Sequence, residues 1–218
     1  MPPSTSRDTG RAPEAPARRG RPSRRADIFS AALRLFRERG FHATSINDIG
    51  TEAGVAGTAV YSHFATKQEL LKEAIREGAD RIAAGMKEAV SSDPQTPEAA
   101  LEDLVRAYVR VVLDNADMNA CYVLESRNLD ADVGEPLRRR ERTLREAWRR
   151  RLLAVRPDLS QAEARLRVQM AVFSVVALCV HRSRMERGAL VEHATSFVLG
   201  ALDSPVPTAH SPRQRNPA

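Results

Sequence analysis

In the run "TKQE", Thr66 has the side chain of a helix N-cap and Lys67 follows at the first helical position. A cation there faces the positive end of the helix macrodipole, which disfavours it. The placement makes sense where an anion docks among the free N–H groups of the helix start. Upstream, Thr44 and Ser45 set hydroxyls beside a second helix start, and Tyr61 and His63 add neutral donors nearby. Taken singly, each is an ordinary surface residue. As a group they read as a clamp on a phosphate backbone.

Catalytic chemistry finds little support. The chain has no Glu-x-x-His pair, no Gly-x-x-x-x-Gly-Lys loop, no zinc-ligand spacing and no Ser/His/Asp signature. The expectation is a protein that is not an enzyme and carries no metal or cofactor. Cys121 and Cys179 lie in apolar stretches without a disulfide framework, which fits a reducing compartment. The N-terminus is rich in Arg and Pro but has no apolar signal core. The apolar run Met170–Val180 falls short of the ~20 residues a membrane span needs. A soluble, cytoplasmic protein without a membrane partner is expected. Its net charge of +6 and pI of about 10 suit a polyanionic partner.

The elements that must hold the clamp are helical. Of 218 residues, 42% are hydrophobic and only 5% aromatic, and alternating β-branched runs are absent, so an all-α fold is expected. Residues 1–22 read as a disordered basic arm and 203–218 as a disordered tail. A first helix spans about 23–39, with Ile28, Ala31, Leu35 and Phe36 inward, Gly40 as a left-handed cap and Phe41 folding back on Phe36. "SIND" starts a second helix, Ser45 and Asp48 forming a capping box, and this helix stops at Gly54. A third spans about 57–63. Thr66 and Glu69 open a fourth. The break at "SSDPQTP", 91–97, divides a head domain, 23–90, from a second helical domain, 91–202. Further helices are expected at 97–115, 118–129, 135–154, 160–186 and 189–202.

Two short helices joined around Gly54 match a helix-turn-helix, whose second helix enters the major groove of DNA. Residues 27–71, through "AALRLFRERGF", "TSINDI", "AGVAGTAVYSHF" and "TKQELL", resemble the DNA-binding domain of the tetracycline-repressor (TetR) family of bacterial transcriptional regulators. The resemblance implies double-stranded DNA as partner. Thr44, Tyr61, His63 and Lys67 would touch its backbone, and Gly57, Thr58, Ala59 and Ser62 would face its bases. Two residues depart from the family pattern. Ala56 stands where Ser is frequent, and Gly50 replaces the usual Ala at an expected cost of roughly 1 kcal/mol. Only Thr58 and Ser62 offer polar readout, so DNA shape and the arm residues Arg21, Arg24 and Arg25 are expected to share in specificity. A tail that adds only general affinity is the alternative for the arm.

The run "MAVFSVVALCV" is apolar all round, so its helix must be covered on more than one side. With the last helix beside it, a two-fold four-helix interface is expected, formed by Val175, Leu178, Ala194, Phe197 and Val198; the resemblance implies the same homodimer. Tyr108, Val112, Cys121, Tyr122, Glu125, Trp148, Phe173 and His181 are the expected lining of a small-molecule pocket, with plain core as the alternative for each. The pattern "YVRVVL…LESRNLD…RPDLS…EARLRV" resembles a subgroup responding to lipid or acyl-CoA effectors. The resemblance therefore implies a repressor released by a hydrophobic ligand; a DNA binder without a ligand switch is the alternative. "RRRERTLREAWRRR", Arg138 to Arg151, reads as a solvated face with internal Glu–Arg pairs or as a seat for an anionic head group.

Overall fold

The computed structural model describes residues 24–91, 94, 96–126, 129–181 and 183–205. The arm, Arg21 included, and the tail from 206 onward lie outside the described residues. Among those described, the regular elements are nine helices and no strand: α1 (Arg24–Arg39), α2 (Ile46–Glu52), α3 (Gly57–Tyr61), α4 (Lys67–Ser91), α5 (Pro97–Asp114), α6 (Ala116–Glu125), α7 (Ala131–Val155), α8 (Gln161–Val180) and α9 (Arg187–Asp203). The fold is all-α, with an N-terminal helix-turn-helix and a helical C-terminal part.

Local signals set the first elements. Ile28, Ala31, Ala32, Leu35 and Phe36 are buried at helical spacing along α1. Gly40 ends the helix with φ +85°, its N–H donating to Phe36 O at 3.0 Å, and the Phe41 ring meets Phe36 edge-on at 5.2 Å. The Ser45–Asp48 capping box opens α2 with both reciprocal bonds formed. At α4, Thr66 accepts from Glu69 N–H, and Glu69 reaches back to Ala65 N–H rather than to the cap residue itself.

Two apolar clusters form. The first gathers Phe36, Ile49, Val60, Phe64, Leu70 and Ile75 from α1 to α4, and takes in Met118 and Cys121 of α6 and Val133 and Leu137 of α7. The second centres on Tyr108 and Trp148, whose rings meet edge-on at 5.4 Å, with Leu104, Leu152, Val168 and Val198 around them. The helix α6 therefore serves both clusters: Met118 and Cys121 face the first, while Ala120 joins the second. Arg37 of α1 ties to Asp117 of α6 at 2.5 Å.

Some helix bounds and side-chain placements differ from expectation. The helix α7 begins at Ala131, four residues before its expected start at about 135, because Val133 packs into the first cluster and Lys72 pairs with Asp130. The helix α8 ends at Val180, where His181 turns extended. Of the residues expected between two subunits, Val175, Ala194 and Val198 are buried in the chain's own core. Phe173, expected to line a pocket, is 58% exposed, and His181 is exposed as well. The surface stripe on α8 is instead Leu166, Met170 and Phe173, spaced four and three apart, and Phe197 stands exposed on the neighbouring α9.

Candidate nucleic-acid interface

The turn between α2 and α3 is closed by backbone. Gly54, at φ +69°, donates to Thr51 O at 3.1 Å, and Val55 N–H donates to Gly50 O at 2.8 Å. Gly50 is buried and not a weak point: a Cβ there would lie 2.9 Å from both Gly57 N and Val55 O, closer than real Cβ atoms come. The expected cost of glycine is thus reversed in this backbone, since alanine would push against main chain that cannot step aside. Gly57 is held in turn against α2, where a Cβ would overlap Asn47 Oδ1 and approach Asn47 Cα at 3.3 Å. Its lack of a side chain serves the contact between α2 and α3.

Around this joint the candidate residues divide. Thr58 and Ser62 are exposed on α3 and its C-cap, and Tyr61 is 56% exposed. Ala59 and His63 are half-buried. Ser62 Oγ donates to Ala59 O at 2.7 Å, which leaves the hydroxyl its acceptor capacity. Ala56 caps α3 without a side-chain bond, as its missing hydroxyl requires. Together these residues form an edge of small and polar groups beside the buried Val60 and Phe64.

Three members of the expected clamp sit differently. Thr44 is 1% exposed, and its hydroxyl donates to Gly40 O at 2.8 Å, so it braces the loop after α1 and presents no hydroxyl to a phosphate. The Ser45 hydroxyl is engaged with Asp48 in the capping box. Lys67 is half-buried, with Nζ donating to Phe41 O at 2.7 Å and Thr44 O at 2.6 Å, and lies over the Phe41 ring. Those carbonyls and the ring face supply the negative partners that make a lysine tolerable at the start of α4. Two of its three N–H donors are thereby engaged.

The arm residues also separate. Arg24 is exposed at the start of α1. Arg25 bonds Glu73 at 2.5 Å and stacks on the Phe64 ring at 4.5 Å, with its pKa raised chiefly by the Glu73 bond. Both contacts turn the Arg25 side chain toward α4 and the core in the DNA-free chain. Sequence reasoning missed this use because Glu73 lies 48 positions away.

In the second cluster, Tyr108, Val112 and Trp148 do come together, while Cys121 belongs to the first. Tyr122 donates to Glu141 across to α7, and burial pushes its phenol up. Glu125 is buried near the end of α6. Burial likewise pushes the Cys121 thiol up to about 12, a chemically quiet state. Trp148 Nε1 is buried with no acceptor among the described residues. The described residues hold no cluster of three or more His, Cys, Asp or Glu suited to a metal. No helix among them is long and apolar enough to cross a membrane.

The family model described as "Bacterial regulatory proteins, tetR family" matches residues 28–74, which take in α1 from Ile28 onward, the whole helix-turn-helix and the start of α4. Residues 28–74 thus carry the sequence signature of TetR-family regulatory proteins. Among TetR-family relatives, it is 31% identical over 113 residues to the transcriptional repressor KstR2 of Rhodococcus jostii, covering 52% of this chain and 55% of that one. It is 32% identical over 85 residues to the transcriptional activator FasR of Mycolicibacterium smegmatis, covering 38% and 39%. The chain thus matches about half or less of the length of these curated relatives. A solved TetR-family structure, the ketosteroid regulator KstR2 of Mycobacterium tuberculosis, aligns over 84% of this chain and 95% of its own, with TM-score 0.73 and 23% identity. That likeness extends the TetR-family fold across both clusters.

Proposed function

We propose that the protein is a ligand-responsive transcriptional regulator, a repressor in the simplest form, that binds a palindromic operator as a homodimer. The observation carrying this reading is the α2–turn–α3 unit, with Thr58, Tyr61 and Ser62 outward on a helix locked by Gly50, Val60 and Phe64. Thr58 and Ser62 read base edges, and the small Gly57 and Ala59 let the helix come close. Tyr61, His63 and the remaining Lys67 N–H hold the backbone, with Arg24 beside them. The exposed stripe of Leu166, Met170 and Phe173 with Phe197 supports a two-fold contact through α8 and α9, which would present two reading helices to two half-sites. Repression is favoured over activation by analogy with the repressor KstR2, against the activator FasR.

The effector site of this reading lies in the second helical unit, around Tyr108, Val112 and Trp148. The unpartnered Trp148 Nε1 supports it, because a buried indole N–H ordinarily finds an acceptor and a ligand oxygen would supply one. A mainly hydrophobic effector suits the walls. Release requires that it bind the DNA-free arrangement more tightly than the DNA-bound one.

The test is selection of bound fragments from random DNA by the purified protein, followed by a screen for small molecules that release them. A palindromic consensus is expected. Thr58→Ala should change which sequences are enriched, and Tyr61→Phe should weaken all of them alike. Recovery of DNA with no shared sequence would defeat the operator reading. Tight, specific binding that no ligand releases would favour a DNA binder without a switch.

A further inference from the structure

Between α7 and α8 lies a groove of about 310 Å³ lined by Arg142, Arg145, Arg149 and Arg165, with Glu146 as its sole carboxylate. Its volume stands at the low end of small-ligand sites, about 300–1,000 Å³. Arg142, Arg145 and Arg149 recur three and four residues apart and so share one face of α7. Arg165 and Gln169 oppose them from α8, over a floor made by the buried Val168. A merely solvated basic helix has no need of a second helix returning a further arginine to the same hollow.

Three of these guanidiniums have carboxylate partners, but the pairs are partly or largely exposed and are readily exchanged. Arg142 gives one Nη2 to Glu135 and Arg145 one Nη2 to Glu141, both at 3.2 Å. Neither glutamate lines the groove, and each guanidinium keeps further N–H groups. Among the lining residues, four cations less one anion leave three positive charges. Glu146 registers this surplus: its carboxyl is held below the ordinary range first by the Arg149 bond, and further by the charges of Arg149, Arg150 and Arg165.

We propose that this groove binds the pyrophosphate group of a small molecule. Guanidinium forks match phosphate oxygens two at a time, and a diphosphate presents enough oxygens to engage several of the four guanidiniums at once. Free pyrophosphate and a nucleoside diphosphate present the same chemistry. The assignment is independent of the DNA-binding reading.

Isothermal titration of the full chain with pyrophosphate, and separately with ADP, tests it without DNA. Saturable binding at one site per chain is expected, weakening as salt rises. Arg142→Gln and Arg165→Gln should each lower affinity by about tenfold, the loss of one charge-assisted contact. Tighter binding of ADP assigns a nucleotide-borne group; equal or tighter binding of pyrophosphate assigns the inorganic one. Arg110→Gln, exposed on α5 outside the groove, should bind as the unaltered chain does. An equal loss in Arg110→Gln would show a diffuse basic surface and overturn the site. So would no saturable binding of either probe, or unchanged affinity in an Arg142→Gln/Arg165→Gln double variant whose helical circular dichroism is intact.

Discussion

Lys67 fastens the start of α4 to the loop after α1: its ammonium bonds the carbonyls of Phe41 and Thr44 and rests 4.3 Å from the centre of the Phe41 ring. One side chain thus joins two tasks, bracing the helix-turn-helix and holding charge beside the proposed DNA backbone. Lys67→Ala should weaken binding to all DNA sequences and flatten the salt dependence by about one unit of slope. It should also lower stability by about 1 kcal/mol as two carbonyls lose their donor. Binding at several salt concentrations and a urea titration measure both effects. Unchanged affinity and slope with lowered stability would make Lys67 purely a brace.

Gly50→Ala should destabilise the fold by about 1–3 kcal/mol, although alanine is the better helix former by about 1 kcal/mol. The obstacle is the backbone at Val55 and Gly57. Thermal unfolding reads the sign directly, and a raised melting temperature would contradict the close approach.

On the proposed two-fold contact, Phe197→Arg should give monomers by light scattering, and since Phe197 is 66% exposed in the single chain, helical content should stay intact. Val198→Arg, one residue on, should instead lose the fold, since Val198 is buried among the chain's own helices. A folded monomer from Val198→Arg and a persistent dimer from Phe197→Arg would reverse the assignment of the two faces.

Asp48 carries a pH dependence of definite sign. The bond from the Ser45 hydroxyl, and then that from its backbone N–H, hold the Asp48 carboxyl below the ordinary carboxylate range. A carboxyl lowered on folding contributes stability above its unfolded value, near 3.9, and loses it as pH falls through the folded value. Asp48→Asn should therefore be less stable than the unaltered chain at pH 7, and the gap should close in stronger acid. Urea titrations at the two pH values check this; a gap that stays constant would mean the carboxylate charge plays no part.

Contacts close in sequence were legible before the fold was known. Gly40, Phe41, Ser45 and Asp48 complete their caps within four or five residues, so local chemistry announces them. Lys67 was conspicuous as an anomaly, but its partners lie 23 and 26 positions upstream, and only the packed head brings them together. The start of α7 was hidden for the same reason, being set by Val133 against α1 to α4 and by Lys72. In α8, apolar residues on every side conceal which face turns inward. Val175 and Phe173 look alike as letters, yet one is core and the other surface.

The paired glycines of the helix-turn-helix have a mechanical consequence. With Gly50 pressed to Val55 and Gly57, and Gly57 pressed to Asn47, no slack remains at the joint. The proposed reading helix is therefore coupled to α2, so that α2 and α3 travel as a single tooth with whatever turns α1 and α4.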